Sequence, residues 1–187
     1  MTHYALLVRG INVGGKNKVV MAELRQELTD LGLEKVESYI NSGNIFFTST
    51  DSKVKLIEKL ETFFGTRYPF IQSFSLLSQE DYEAEVENLP DWWTKDLARK
   101  DVLFYTEGLD VEQVIATVES LELKDEVLHF GKLGIFWGKF SEETYSKTAY
   151  HKYLLKVPFY RNITIRNAKT FDKIGQMLKN NNKGDTQ

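Results

Sequence analysis

Apolar and polar positions fall into two successive series along this chain, each reading strand, helix, strand, strand, helix, strand. In the first, an apolar run over 4–8 predicts a short strand. Met21, Leu24, Leu28 and Leu31 then recur at helical spacing, with Gly32 as a stop. The β-branched and aromatic runs at 36–40 and 45–48 flank Asn41-Ser42-Gly43-Asn44, a turn sequence that predicts a hairpin. Val54, Ile57, Leu60, Phe63 and Phe64 mark a second helix ending at Gly65, and 70–76 reads as the closing strand.

The second series follows the same order although few residues match when the halves are superposed by sequence. A strand at 102–105 precedes a helix carried by Val111, Val114, Ile115 and Val118. The runs 127–130 and 135–140 form a hairpin around Gly131-Lys132-Leu133-Gly134. Tyr145, Ala149, Tyr153 and Val157 predict one long helix stopping before Pro158, with Tyr153 on its core-facing stripe, and 163–166 is a short strand. Between the series, Ser78 and Asp81 have the spacing of a capping box and make the connector partly helical, ahead of Pro90-Asp91-Trp92-Trp93. Phe171, Ile174 and Leu178 outline a last amphipathic helix, followed by a polar segment at 180–184 expected to fray.

Two βαββαβ series predict an α+β protein of two ferredoxin-like units with antiparallel sheets. The expected division is a first unit at 1–77, a connector at 78–100, and a second unit with its C-terminal helix at 101–187. The 187 residues, 42% of them hydrophobic, are enough for a sizeable core. The chain contains no cysteine, which removes disulfides, thiolate nucleophiles and cysteine metal clusters and points to the cytoplasm. No apolar run approaches the roughly 18 residues of a membrane span, so no membrane partner is expected.

A net charge of -3 conceals a strong asymmetry: residues 80–126 hold 15 acids against 4 bases, whereas 147–187 hold 9 bases against 2 acids. If folding carries the basic segment towards Arg9, Lys16 and Lys18, a cationic surface results; otherwise both segments are ordinary solvated faces.

The richest chemistry lies in Arg9-Gly10-Ile11-Asn12-Val13-Gly14-Gly15-Lys16-Asn17, which joins the first strand to the first helix. It matches neither the Rossmann glycine pattern nor a Walker A loop. Gly14 and Gly15 can adopt conformations closed to other residues and turn N–H groups inward, while Lys16 neutralises an anion. The competing structural reading is a tight connection whose asparagines cap the following helix. Ser42 and Asn44 could orient a substrate from the hairpin tip, although positive φ values supplied by the Ser-Gly and Asn residues explain them more simply. No Gly-x-Ser-x-Gly elbow surrounds Ser42, which disfavours a serine hydrolase.

Arg161, Thr164, Arg166, Asn167 and Thr170 gather where the last strand meets the last helix. Paired arginines suit bidentate contact with phosphate or carboxylate, whereas Asn167 is more simply a helix cap. His3, His129 and His151 are too far apart for a recognisable ligand set, so no metal and no cofactor are expected. Glu83, Glu85 and Glu87 alternate along a helix and read as a solvated surface.

The loop 9–17, Met21-x-x-Leu24-Arg25, Tyr39-Ile40-x-Ser42-Gly43-Asn44 and Thr164-x-Arg166-Asn167-x-x-Thr170 together resemble the bacterial domain-of-unknown-function family numbered 1697. The resemblance covers nearly the whole chain and implies a two-unit ferredoxin-like fold but no established activity. Relatives usually carry tryptophan after the Arg-Asn pair, where this chain has Ala168. Phe171, Trp92 and Trp93 are the rings that could substitute.

The reading that follows is binding of a phosphate- or carboxylate-bearing small molecule between the units, with catalysis left open. Arg9, Gly10, Asn12, Gly14, Gly15, Lys16 and Asn17 form one wall with Ser42 and Asn44 nearby, and Arg161, Arg166 and Asn167 form the other. One alternative is nucleic-acid binding through Lys147, Lys152 and Lys156 with Tyr150, Tyr153 and Tyr160 interleaved. Another is an assembly role in which Trp92-Trp93 forms an oligomer contact.

Overall fold

A computed structural model describes residues 1–180. The polar segment expected to fray therefore lies, beyond Asn180, outside the described residues. In the first unit, β1 (Thr2–Val8), α1 (Met21–Asp30), β2 (Glu34–Tyr39), β3 (Asn44–Ser49), α2 (Lys53–Arg67) and β4 (Phe74–Ser78) form an antiparallel sheet in the order β2-β3-β1-β4. After α3 (Gln79–Glu87), the second unit repeats the arrangement with β5 (Arg99–Tyr105), α4 (Val111–Glu119), β6 (Glu126–Phe130), β7 (Gly134–Lys139), α5 (Ala149–Tyr153) and β8 (Ile163–Asn167), ordered β6-β7-β5-β8. The closing helix is α6 (Ala168–Asn180). The fold is α+β, two ferredoxin-like units.

The inner strands are buried on both faces, and their period of two divides the core. Tyr4, Leu6, Val8, Ile45 and Phe47 pack under α1 and α2. Leu103, Tyr105, Ile135 and Trp137 likewise pack under α4 and the segment after β7. Ala5, Leu7 and Phe46 from one sheet meet Val102, Phe104 and Phe136 from the other in a shared central core, filled in by Trp93, Phe171, Ile174 and Leu178. That shared core holds the two units together and brings the two ends of the described chain side by side.

Side chains cap the starts of α3, α2 and α6. Ser78 and Asp81 make the reciprocal capping box of α3, Ser52 accepts from Lys55 N at α2, and Asn167 Oδ1 accepts from Thr170 N at 2.9 Å in the first turn of α6.

Five expectations need correction. The second helix does not stop at Gly65 but runs to Arg67, its last turn closed by Tyr68 N donating to Phe64 O. The strand expected over 70–76 begins only at Phe74; residues 68–73 make a link in which Ile71 N donates to Tyr68 O, and Phe70 is exposed. The long helix from Tyr145 to Val157 is instead a 3-10 turn at Tyr145–Lys147, the five residues of α5, and a second 3-10 turn at Leu154–Lys156. The break is at Thr148, whose backbone is extended and whose hydroxyl accepts from His151 N, while the Glu126 carboxylate takes the N–H groups of Ala149 and Tyr150. Tyr153 consequently lies at the surface, 42% exposed, rather than in the core. Finally, Glu85 is not part of a solvated face: it is 3% exposed and accepts from Leu133 N, tying α3 to the second hairpin.

Candidate functional site

The glycine-rich loop is held by its own asparagines. Its left-handed residues are Gly10, Asn12, Gly14, Gly15 and Asn17, so the backbone reverses within a few residues. Asn12 N donates to Asn17 O at 3.1 Å, Lys16 N donates to Val13 O at 3.1 Å, and the Asn17 amide donates to Gly10 O at 3.0 Å. The Asn12 side chain accepts from Val19 N and donates to Val19 O and Asn41 O, anchoring the loop to the first hairpin. Neither asparagine caps α1, whose N-cap is Val20 with no side-chain hydrogen bond. The tip, including Gly14, Gly15 and Lys16, faces solvent.

The hairpin tip is also corrected in detail. Its positive φ values fall on Ile40 and Gly43 rather than on Ser42 or the asparagines. Ser42 Oγ accepts from the Asn44 amide, which also donates to Tyr39 O.

Chain ends do meet here, through two arginines with different tasks. Arg166 is committed: Nε donates to Asn44 Oδ1 at 2.7 Å, Nη2 to Val8 O at 2.8 Å and Ser42 O at 3.0 Å, and Nη1 to Ile165 O at 3.0 Å. Burial lowers its guanidinium to about 10, and among the described residues no carboxylate pairs with it. Arg9 donates only through Nη1, to Tyr160 O at 2.6 Å and Ile163 O at 2.7 Å, with its guanidinium 4.4 Å above the Tyr160 ring. Its Nε–H and Nη2–H have no acceptor among the described residues. Those two form the fork edge that matches an oxyanion.

Arg9, Gly10 and Asn17 line a cavity of about 380 Å³ together with Phe70, Gln72, Ser73 and Arg161. Arg161 is exposed and its side chain makes no hydrogen bond or ion pair among the described residues; Ser73 Oγ donates to its carbonyl. Among the described residues no acid lines this cavity. Asn12 and Gly15 line a separate hollow of about 450 Å³ with Asn41, Lys18 and Met21. Lys16 lines neither, Ser42 and Asn44 support Arg166, and Asn167 caps α6. The expected site thus divides into a cavity-lining set, a loop scaffold and a buried fastening. Sequence reasoning missed Phe70, Gln72 and Ser73 because it assigned them to a strand; Pro69, which cannot donate to a ladder, was the available signal.

The aromatic residues of the other readings are largely engaged. Tyr150 packs against Trp137 with Lys139 over its ring, and Tyr160 lies beneath Arg9. Trp93 is 5% exposed in the central core and Trp92 half-buried beside it. Ala168 packs against the central core beside Phe171 and Trp93 and does not line the cavity, where the ring is Phe70. Lys147, Lys152 and Lys156 are exposed.

No curated protein matches the chain. A solved structure, the conserved bacterial protein SP0830 from Streptococcus pneumoniae, is similar at 89% identity and a TM-score of 0.94, covering 95% of this chain and 99% of that one. The family model described as a protein of unknown function, DUF1697, matches residues 1–136, which hold the glycine-rich loop, the whole first unit and the start of the second. On that match the chain belongs to the DUF1697 family.

Proposed function

We propose that the cavity between the glycine-rich loop and Arg161 binds a small molecule bearing a phosphate or carboxylate. One observation carries the reading: two arginines from opposite units line a single acid-free cavity of about 380 Å³, one with its fork edge open and the other with an unengaged head. Pockets of small-molecule ligands run from roughly 300 to 1,000 Å³, so the space is adequate for a metabolite. An uncompensated pair of guanidinium groups favours an anion there and repels a cation.

The lining holds no pair of groups arranged for acid–base or nucleophilic work, since the Ser73 hydroxyl is turned to the Arg161 carbonyl. The proposal is therefore binding, with no reaction assigned. Among the described residues no helix is long and apolar enough to cross a membrane. With a cysteine-free sequence, a cytoplasmic location belongs to the same proposal.

The test is the melting temperature of the full chain against inorganic phosphate, phosphorylated sugars and di- and tricarboxylates. A ligand at about 100 times its Kd should stabilise by ~2.7 kcal/mol, a shift of several degrees. Arg161→Ala should remove the response while leaving the unliganded melting temperature unchanged, because that side chain holds nothing else. No response from any anion, or an unchanged response in Arg161→Ala, overturns the proposal.

A further inference from the structure

We infer that the anion this cavity accepts carries an aromatic ring, as a nucleoside monophosphate does; the inference rests on the anion-binding reading above. Its motivation is Phe70, which is 38% exposed on a cavity otherwise lined by glycine and polar or charged side chains. Core burial does not explain a phenylalanine in that position. It does not float freely either: its ring makes a T-shaped pair with Tyr68, centroids 6.1 Å apart at 75°, and Tyr68 is fixed by donating to Glu27 at 2.6 Å. The link is fixed as well, by Ile71 N donating to Tyr68 O at 2.8 Å.

An aromatic side chain held by a single ring contact with exposed surface left over is suited to stacking, and stacking tolerates any planar ring. Gln72, exposed on the same lining, adds an amide that can both donate and accept beside such a ring. The two arginines line the same cavity as this link, so one cavity offers both an oxyanion anchor and an aromatic surface. At about 380 Å³ it is oversized for phosphate alone and suits a single phosphorylated ring compound.

Calorimetric titration of the full chain with inorganic phosphate, ribose 5-phosphate, phenyl phosphate and adenosine 5′-monophosphate tests this. The monophosphate should bind about tenfold tighter than ribose 5-phosphate, and phenyl phosphate tighter than inorganic phosphate. Phe70→Leu should erase both gains while ribose 5-phosphate binding persists, whereas Arg161→Ala should weaken all four. Equal affinities with and without a ring, still dependent on Arg161, overturn the inference and leave the anion reading standing. Absence of binding by all four overturns both. Binding by a 5′-phosphorylated oligonucleotide with none by the mononucleotide overturns the small-ligand inference in favour of a strand end.

Discussion

Arg166 donates its Nε–H to Asn44 Oδ1 at 2.7 Å, joining the last strand to the first hairpin across most of the chain. The same guanidinium reaches Val8 O and Ser42 O, so the end of β1, the hairpin tip and β8 share one fastening. Arg9 makes the reciprocal link, from the end of β1 to Tyr160 O and Ile163 O. Of the two arginines only Arg9 lines the cavity, while Arg166 fastens the strand end and the hairpin tip behind it.

Replacing Arg166 with alanine removes the guanidinium donors from four part-buried oxygens, Asn44 Oδ1, Val8 O, Ser42 O and Ile165 O. A loss of about 3 kcal/mol is expected, from one to two kcal/mol for each of the strongest contacts less relaxation. Arg166→Lys should recover little, because one ammonium cannot serve Asn44, Val8 and Ser42 together. Urea unfolding measures both; Lys16→Ala, at the exposed loop tip, is the control and should stay within about 0.5 kcal/mol of the parent.

Gly43 and Gly10 both have positive φ, yet they should respond differently to alanine. A Cβ at Gly43 would lie 2.2 Å from Val8 Cγ2 and 3.1 Å from Ile11 Cδ1, whereas one at Gly10 meets nothing within 4 Å. Gly10→Ala should cost only its backbone strain, about 1 kcal/mol. Gly43→Ala adds overpacking against the end of β1 and should cost about 3 kcal/mol in the same unfolding measurement. Equal costs would mean that Val8 yields without penalty.

The architecture was legible because the runs around Leu6, Phe46, Leu103 and Phe136 are apolar on both faces and short, which suits strands buried in a layered core. Their period could not reveal that Ala5, Leu7 and Phe46 face a second sheet rather than helices, since both surfaces are apolar. The helix over Tyr145 to Val157 failed for a different reason. Its stripe has the right spacing, but Thr148 supplies a cap and Glu126, distant in sequence, takes the freed N–H groups. Glycine and asparagine content correctly marked the loop as unusual. It could not show that Asn12 and Asn17 spend their amides holding it together, or that Arg166 turns inward to carbonyl oxygens, because both depend on which segments approach in space.

Glu85 makes stability depend on pH in a predictable direction. Burial pushes its carboxyl above the ordinary value of 4.5, opposed by the Leu133 N–H that it accepts. A carboxyl raised in the folded state contributes stability that is fully present below its unfolded value and is lost as pH rises through the folded one. Glu85→Gln keeps an acceptor for Leu133 and removes that titration. Urea midpoints compared from pH 4 to pH 8 should show the parent losing ground to the variant as pH rises, and a parent that gains ground would contradict the assignment.

Lys139 is fully buried at the end of β7, with its ammonium 2.6 Å from Asp101 Oδ2 and 3.4 Å from the centre of the Tyr150 ring. Burial lowers its pKa, and Asp101 opposes that shift. Tyr150 belongs to α5, so the pair helps to seat the broken helical segment that leads to Tyr160 and Arg161 at the cavity. Lys139→Met keeps most of the stem but strands the Asp101 carboxylate, and should cost about 3 kcal/mol. Adding Asp101→Asn removes the stranded charge, so the double variant should be less destabilised than the sum of the singles by about 2 kcal/mol. If the segment is held chiefly by this pair, Lys139→Met should also speed amide hydrogen exchange at Ala149 and Tyr150, while Lys139→Met/Asp101→Asn restores part of the protection. Additive stability losses with unchanged exchange would instead assign the seating to Glu126, whose carboxylate accepts from Trp137 Nε1 as well as from those two backbone groups.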